Sequence, residues 1–352
     1  MTTKTRYFVI VSLVVLGVGV GTGLVAYYAG FPMSAVGRRG GPDELQYVPR
    51  DATVVAYADV RGVMTSELRR KLHEAVPMSE NGQREFQDQT GINIETDIDH
   101  VVAFVAPGPD TGLPAGDASK RFPGGGMVLA RGIFDAGRIE ALMREHGAHI
   151  EDYKGKRLIV GSIHKGDSDA APAPTAPGTS SDSFALAFVQ PGLAAVGNVT
   201  LVRAAIDNQA SGQNITANEE MMNRVRTLDS GNAWAVGRFD VLQKQSGLPE
   251  SVASRLPPIT WFSVSSHVNG GIRGVIQAET RDEESANNLR DVVRGFMALA
   301  KLQAGSKPEY QTMMQALELG GTGKTVALSF AIPSEIFDII GKAGKLPAKQ
   351  GH

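Results

Sequence analysis

The chain contains no cysteine, and this absence excludes several kinds of chemistry at once. Disulfide bonds, thiolate zinc sites, iron–sulfur clusters and cysteine nucleophiles all need that residue. An excess of charge of one sign is missing as well, because 35 lysine and arginine residues stand against 37 aspartate and glutamate residues. A chain with this balance has no overall field that attracts polyanions, so we expect no nucleic-acid partner.

Charge is also absent from one long run near the N-terminus. Lys4 and Arg6 are followed by an uncharged segment from Phe8 to Ala29, which as a helix would be about 33 Å long and would span a bilayer. A cleaved signal peptide is the alternative, but no small-x-small cleavage site follows the run. We therefore predict a cytoplasmic segment at 1–7, a single-pass transmembrane anchor at 8–29, and the bulk of the chain in the periplasm.

Beyond a tether at 30–46 that is rich in glycine and proline, one local pattern recurs. A strand-like apolar segment ends at a short polar residue that suits a helix N-cap, and a segment with helical spacing follows. The sequence Asn269-Gly270-Gly271 separates two strand-like segments and predicts a hairpin turn. The predicted capping residues are Asp59, Asp135, Asn198, Asp240 and Asp282.

This pattern predicts an α+β fold in which the N-terminal transmembrane helix precedes two tandem sheet-and-helix units. The first unit covers 47–210, with mobile loops at 106–126 and 164–183, and the second covers 219–340. A flexible C-terminus follows at 341–352. Within each unit the elements can be read in the order β-α-β-β-α-β, so we expect a duplicated ferredoxin-like arrangement.

The segment that leads into the first predicted strand contains the sequence Pro49-Arg50-Asp51-Ala52. From Tyr47 onward the chain resembles a family of uncharacterised bacterial membrane-anchored envelope proteins, in which a Pro-x-Asp-Ala element opens the first strand of the ectodomain. The resemblance implies a membrane anchor and a location in the cell envelope. It implies no activity and no site residue.

Two motifs suggest nucleotide binding or serine catalysis, and both fail on spacing or context. Gly320 to Thr325 looks like the end of a phosphate-binding loop, but the required first glycine is replaced by Glu318. We expect this stretch to be a turn from a helix into a strand, without a nucleotide partner. Ser162 and Lys165 fit the S-x-x-K spacing of serine acyl-enzymes, but the companion motifs of that class are absent from the sequence.

Histidines close to carboxylates provide the remaining catalytic hypothesis. His146 and His149 are followed by Glu151, and imidazole with carboxylate suits zinc or manganese. Gly147 lies between the histidines and is expected to end a helix, so the two rings need not share a face. A second group of this kind, in the same predicted unit, is formed by Asp97, Asp99 and His100.

The hypothesis favoured by the sequence is a non-catalytic, membrane-anchored envelope protein that binds a protein or an envelope component and needs no cofactor. The alternative is a metal-dependent hydrolase that uses His146, His149 and Glu151 as ligands. Imidazole and carboxylate ligands are the chemistry that this alternative requires.

Overall fold

The computed structural model describes residues 41–70, 80–107, 125–162, 183–228, 231–241, 257–304 and 315–333. The predicted anchor at 8–29, the C-terminus at 341–352 and most of the two predicted loops lie outside these ranges. Within them, no helix combines the length and the apolar character that crossing a membrane requires.

Twelve strands in the described part of the chain form one continuous sheet in which every neighbouring pair is antiparallel. Their order across the sheet is β11-β12-β10-β9-β8-β1-β2-β3-β7-β6-β5-β4. The strands are β1 (Val54–Ala58), β2 (Ile98–Val105), β3 (Gly126–Gly132), β4 (His149–Tyr153), β5 (Lys156–Ser162), β6 (Ser183–Gln190), β7 (Leu193–Asn198), β8 (Ala233–Arg238), β9 (Ile259–Val268), β10 (Gly271–Thr280), β11 (Leu317–Gly320) and β12 (Thr325–Pro333).

Helices connect these strands. A 3-10 turn at Asp43–Tyr47 precedes β1, and a second one at Ile215–Ala217 lies between two of the helices. The helices are α1 (Val60–Met64), α2 (Glu80–Thr90), α3 (Ala136–Glu145), α4 (Val199–Ser211), α5 (Glu219–Thr227) and α6 (Glu283–Ala304).

Four of the predicted helix caps are confirmed. The side chains of Asp59, Asp135, Asn198 and Asp282 each accept a hydrogen bond from a backbone N–H in the first turn of α1, α3, α4 and α6, at 2.8, 3.0, 2.8 and 2.8 Å. A short polar side chain at this position satisfies a donor that the helix itself leaves unpaired. The predicted hairpin is confirmed as well, because β9 and β10 pair on either side of its turn.

The predicted α+β fold with two tandem, duplicated ferredoxin-like units is wrong. Strand β1 pairs with β8 along five residues, from Val54 opposite Gly237 to Ala58 opposite Ala233, so the sheet runs without a break through both predicted units. A split β-α-β unit also places a third strand between two strands that a helix joins, whereas β1 and β2 are direct neighbours. Local patterns set where each element lies, but strand pairing depends on distant residues.

The β1–β8 pair divides the sheet into a first half-sheet, β1 to β7, and a second half-sheet, β8 to β12. Both faces of the first half-sheet carry a hydrophobic core. One core packs against α4 and α5 and includes Val102, Phe104 and Leu129. The other packs against α2 and α3 and includes Val101 and Val128. Neighbouring residues of one strand thus lie in opposite cores, as the alternation of side chains along a strand requires.

Candidate functional site

A buried carboxylate forms the strongest electrostatic cluster among the described residues. Glu44, in the 3-10 turn before β1, is 3% exposed. Its Oε1 lies 2.8 Å from Nε and 2.6 Å from Nη2 of Arg131, and its Oε2 lies 3.1 Å from Nε2 of His100. Burial acts to raise the pKa of Glu44, but the contacts with His100 and Arg131 outweigh it and lower that pKa to about 2.

His100 contacts Glu44 in this cluster without the geometry of a good hydrogen bond. Its ring nitrogen is close to Glu44, but the nitrogen has no partner in hydrogen-bond geometry. The ring of His100 also packs against Tyr57, with 5.5 Å between centroids, and Tyr57 stacks on Trp234 at 5.8 Å. Burial, followed by the charges of Asp59 and Glu44, raises the pKa of Tyr57. The cluster therefore joins the 3-10 turn at Asp43–Tyr47 to β2 and β3, with Glu44 buried and the side chains of His100 and Arg131 partly exposed.

The predicted metal ligands lie on two different elements. His146 follows α3, and its Nδ1 lies 2.7 Å from the carbonyl oxygen of Leu142. Gly147 has a φ of 86° and ends the helix as expected. His149 begins β4, where its Nε2 lies 3.1 Å from Oε1 of Glu151. The structure thus brings His149 and Glu151 together and leaves His146 bonded to its own helix.

Glu151 already has a cationic partner on α4. Its Oε2 accepts a hydrogen bond from Arg203. Partial burial acts to raise the pKa of Glu151, whereas His149 and Arg203 lower it, and their effect is the larger. Two residues further along β4, Tyr153 donates to Asp207 of α4 at 2.9 Å. These contacts hold the edge strand β4 against α4. They explain the presence of Glu151 by a structural role, without a metal ion.

The second predicted group is also divided among protein partners. Asp97 accepts from the backbone N–H of Asn93 at 2.8 Å, Asp99 pairs with Arg61, and His100 belongs to the Glu44 cluster. Within the described ranges, no group of three or more histidine, aspartate or glutamate side chains is arranged to hold a metal ion.

The glycine-rich stretch from Gly320 to Thr325 joins β11 to β12. Strand β11, rather than the predicted helix, lies directly before it, and the predicted strand after it is confirmed. Arg290 of α6 donates to the carbonyl oxygens of Gly321, Gly323 and Thr325 at 3.4, 3.0 and 2.9 Å. This turn therefore presents carbonyl oxygens to a cation, whereas a phosphate loop presents amides to an anion. Of the S-x-x-K pair, Ser162 ends β5 and Lys165 lies outside the described residues.

The Pro-x-Asp-Ala motif forms a junction with the segment that connects α4 to α5. Pro49 forms an isolated β-bridge with Asn214, and the side chain of Asn218 donates to the carbonyl oxygen of Arg50 at 2.9 Å. A surface cleft of about 740 Å³ opens beside this junction. Ligand pockets of this size are mostly apolar, so we assign this polar cleft no ligand. Its lining is formed by Pro49, Arg50, Asp51, Asn208, Gln213, Ala217, Asn218 and Glu219.

The second half-sheet carries an apolar face that is only half covered. Residues on one side of β9, β10, β12 and β11 are opposite one another in the register, for example Val264, Ile276 and Leu328. On this side Val268 and Val326 are buried, at 0% and 4% exposed, whereas the other large apolar side chains are not buried and Ile276 is 43% exposed. We call this group the apolar sheet face, and it consists of Phe262, Val264, Ile272, Ile276, Leu317, Leu319, Leu328, Phe330 and Ile332.

Helix α6, which contacts β10, β11 and β12, has an exposed apolar stripe of its own. Val292, Phe296, Leu299 and Leu302 are 41, 68, 52 and 81% exposed. Their spacing of three and four residues places them on one side of the helix. We call these four residues the α6 stripe. The sequence shows this spacing, but it did not show that the sheet would leave the side chains uncovered.

Comparisons with known proteins yield one structural neighbour. No family model and no curated protein matches the chain. A crystal structure of TP0453, crystal form I, has a TM-score of 0.41 and 10% sequence identity, with 87% of this chain and 99% of that chain covered. A similarity of this degree is too distant to establish a shared fold or family.

Proposed function

We propose that this chain is a non-catalytic envelope protein, held in the membrane by residues 8–29, that binds a protein or another envelope component through its second half-sheet. The described part of the chain then lies in the periplasm. The observation that carries the proposal is the α6 stripe together with the apolar sheet face. Exposed apolar patches of this kind are typical of interaction sites.

The ionisable groups support a binding role rather than a catalytic one. The carboxylates of Glu44 and Glu151 both contact arginine and histidine side chains of the same chain. Catalysis by a nucleophile or a general base needs a reactive group that can reach a substrate. No observation on His146, His149 and Glu151 favours the metal-dependent hydrolase.

Site-specific photocrosslinking in the native envelope tests the proposal. A photoreactive phenylalanine analogue at Phe296 or Ile276 samples the apolar surface, and the same analogue at the exposed residue Glu284, on the first turn of α6, is the matched control. We expect adducts at the first two positions and few at the control. Mass spectrometry then assigns each adduct to a protein or a lipid.

Equal labelling at all three positions would contradict the proposed binding surface. Absence of adducts at Phe296 and Ile276, with the full chain present in the membrane fraction, would contradict it as well. Recovery of the full chain in the soluble fraction would contradict the proposed membrane anchor at 8–29.

A further inference from the structure

The apolar stripe of α6 is least exposed at its first residue and most exposed at its last. Val292 is 41% exposed, whereas Leu302, almost three turns later, is 81% exposed. Gly295 lies between them, and a Cβ added there would meet nothing within 4 Å. The second half of α6 therefore stands free of the sheet on its apolar side.

The charges of α6 are divided along its length. Glu283, Glu284, Arg290 and Asp291 lie in the first half, whereas from Val292 to Ala304 the helix carries Lys301, Arg294, which pairs with Asp291 at 2.9 Å, and no acidic residue. An apolar side with cationic residues on the rest of the surface is typical of helices that lie in the interface of a bilayer with anionic lipids. The acidic first turn would be repelled by the same surface.

The bilayer is also an apolar phase that the domain can reach. Glu44 fixes the chain to the sheet at the 3-10 turn, and the predicted anchor ends at Ala29. The residues between them span at most about 50 Å when fully extended. With residues 8–29 in the membrane, as proposed above, the domain stays within that distance of the bilayer.

We infer that the C-terminal half of α6 docks on the surface of the bilayer that holds the anchor, with Phe296, Leu299 and Leu302 entering the interface between headgroups and acyl chains. This inference rests on the proposed function. A second copy of the chain fits less well, because a stable interface takes about 20–30 residues a side and the cores of such interfaces are depleted in lysine.

The natural absence of cysteine allows a direct test with the full chain reconstituted in vesicles of phosphatidylcholine and phosphatidylglycerol. Single variants Leu302→Cys and Phe296→Cys carry an environment-sensitive fluorophore, and Glu284→Cys on the same helix is the control. A nitroxide-labelled lipid serves as quencher. We expect quenching several-fold stronger at 302 and 296 than at 284, and weaker at both stripe positions when Lys301→Glu is added.

Equal quenching at the stripe and control positions would overturn the inference. Emission that changes with the density of protein in the vesicle, without lipid quenching, would assign the stripe to a second copy instead. A protein adduct at Phe296 without lipid quenching would leave the proposed binding function standing and remove only the bilayer as partner. Failure of the full chain to enter vesicles would overturn the anchor, and with it both proposals.

Discussion

The two half-sheets share an antiparallel architecture but differ in how completely they are covered. In β5 of the first half-sheet, the neighbours Leu158 and Ile159 are 0% and 2% exposed, so both faces of that strand are buried. In β10 of the second half-sheet, neither Val275 nor Ile276 is buried. Strand sequence alone does not explain this difference, because both pairs are β-branched or aliphatic. It arises from the helices, which pack on both faces of the first half-sheet.

The difference indicates that the two half-sheets contribute differently to stability and to binding. The two hydrophobic cores lie mainly on the first half-sheet, and among the described strands of the second half-sheet they include Ala233, Val236 and Trp261, with Trp234 partly buried against them. The first half-sheet therefore provides most of the folding free energy, because apolar area removed from water is the dominant stabilising contribution. The second half-sheet retains apolar surface that is available for binding.

The largest expected effect contrasts two leucines in strand interiors. Leu129→Ala in β3 removes a fully buried side chain and is expected to cost about 3 kcal/mol of unfolding free energy, since it leaves a cavity. Leu328→Ala in β12 removes a half-buried side chain and should cost about 1 kcal/mol or less. Urea unfolding of the full chain in a non-ionic detergent measures both. Equal losses would contradict the division between the half-sheets.

The Glu44 cluster offers the next largest effect, and it depends on pH. A carboxyl whose pKa falls from 4.5 to about 2 on folding stabilises the folded state above the unfolded pKa, and that contribution, about 3 kcal/mol, is lost as the pH falls from about 4.5 through 2. We expect Glu44→Gln to be destabilised by about 2–3 kcal/mol at pH 7. Its stability should change less than that of the natural chain between pH 5 and about 2.

Unfolding curves of both proteins across that pH range provide the measurement. Asp291→Asn is a suitable control, because both side chains of the Arg294–Asp291 pair are well exposed, at 65% and 72%, and exposed pairs contribute little. A Glu44→Gln variant with the same pH dependence as the natural chain would show that this carboxyl is not the one that titrates.

Exposed leucines of the α6 stripe should contribute almost nothing to folding. Leu299→Gln and Leu302→Gln replace exposed side chains by one of similar helix propensity, so we expect changes within about 0.5 kcal/mol. The same detergent unfolding assay applies, with Leu129→Ala as the sensitive reference. A loss above about 2 kcal/mol at Leu302 would mean that this side chain is buried in the folded protein.

The one stabilising effect that we expect concerns the glycine within α6. Gly295 is helical and a Cβ there meets open space, so Gly295→Ala should stabilise the helix by about 0.5–1 kcal/mol. Its melting temperature relative to the natural chain provides the measurement. Gly132→Ala is the contrasting variant, because a Cβ there would lie 2.1 Å from the backbone oxygen of Asp97 and should destabilise. Destabilisation by Gly295→Ala as well would mean that this side of α6 packs against a neighbouring part of the protein.

Local chemistry in the sequence determined the ends of helices and the β9–β10 turn. Asp59, Asp135, Asn198 and Asp282 cap helices because the interaction spans two or three residues, and such contacts are readable from neighbours in the chain. The absence of cysteine and the uncharged run at 8–29 are likewise properties of the sequence alone.

Only the tertiary structure decided which strands pair and which side chains stay exposed. Val54 pairs with Gly237, and Glu44 bonds to Arg131, 87 residues away in the chain. Neither contact can be recognised from neighbouring residues in the sequence. The apolar stripe of α6 and the buried face of α3 have similar spacing in the sequence. What separates them is the area of each helix that the sheet removes from water, and that area depends on packing rather than on periodicity.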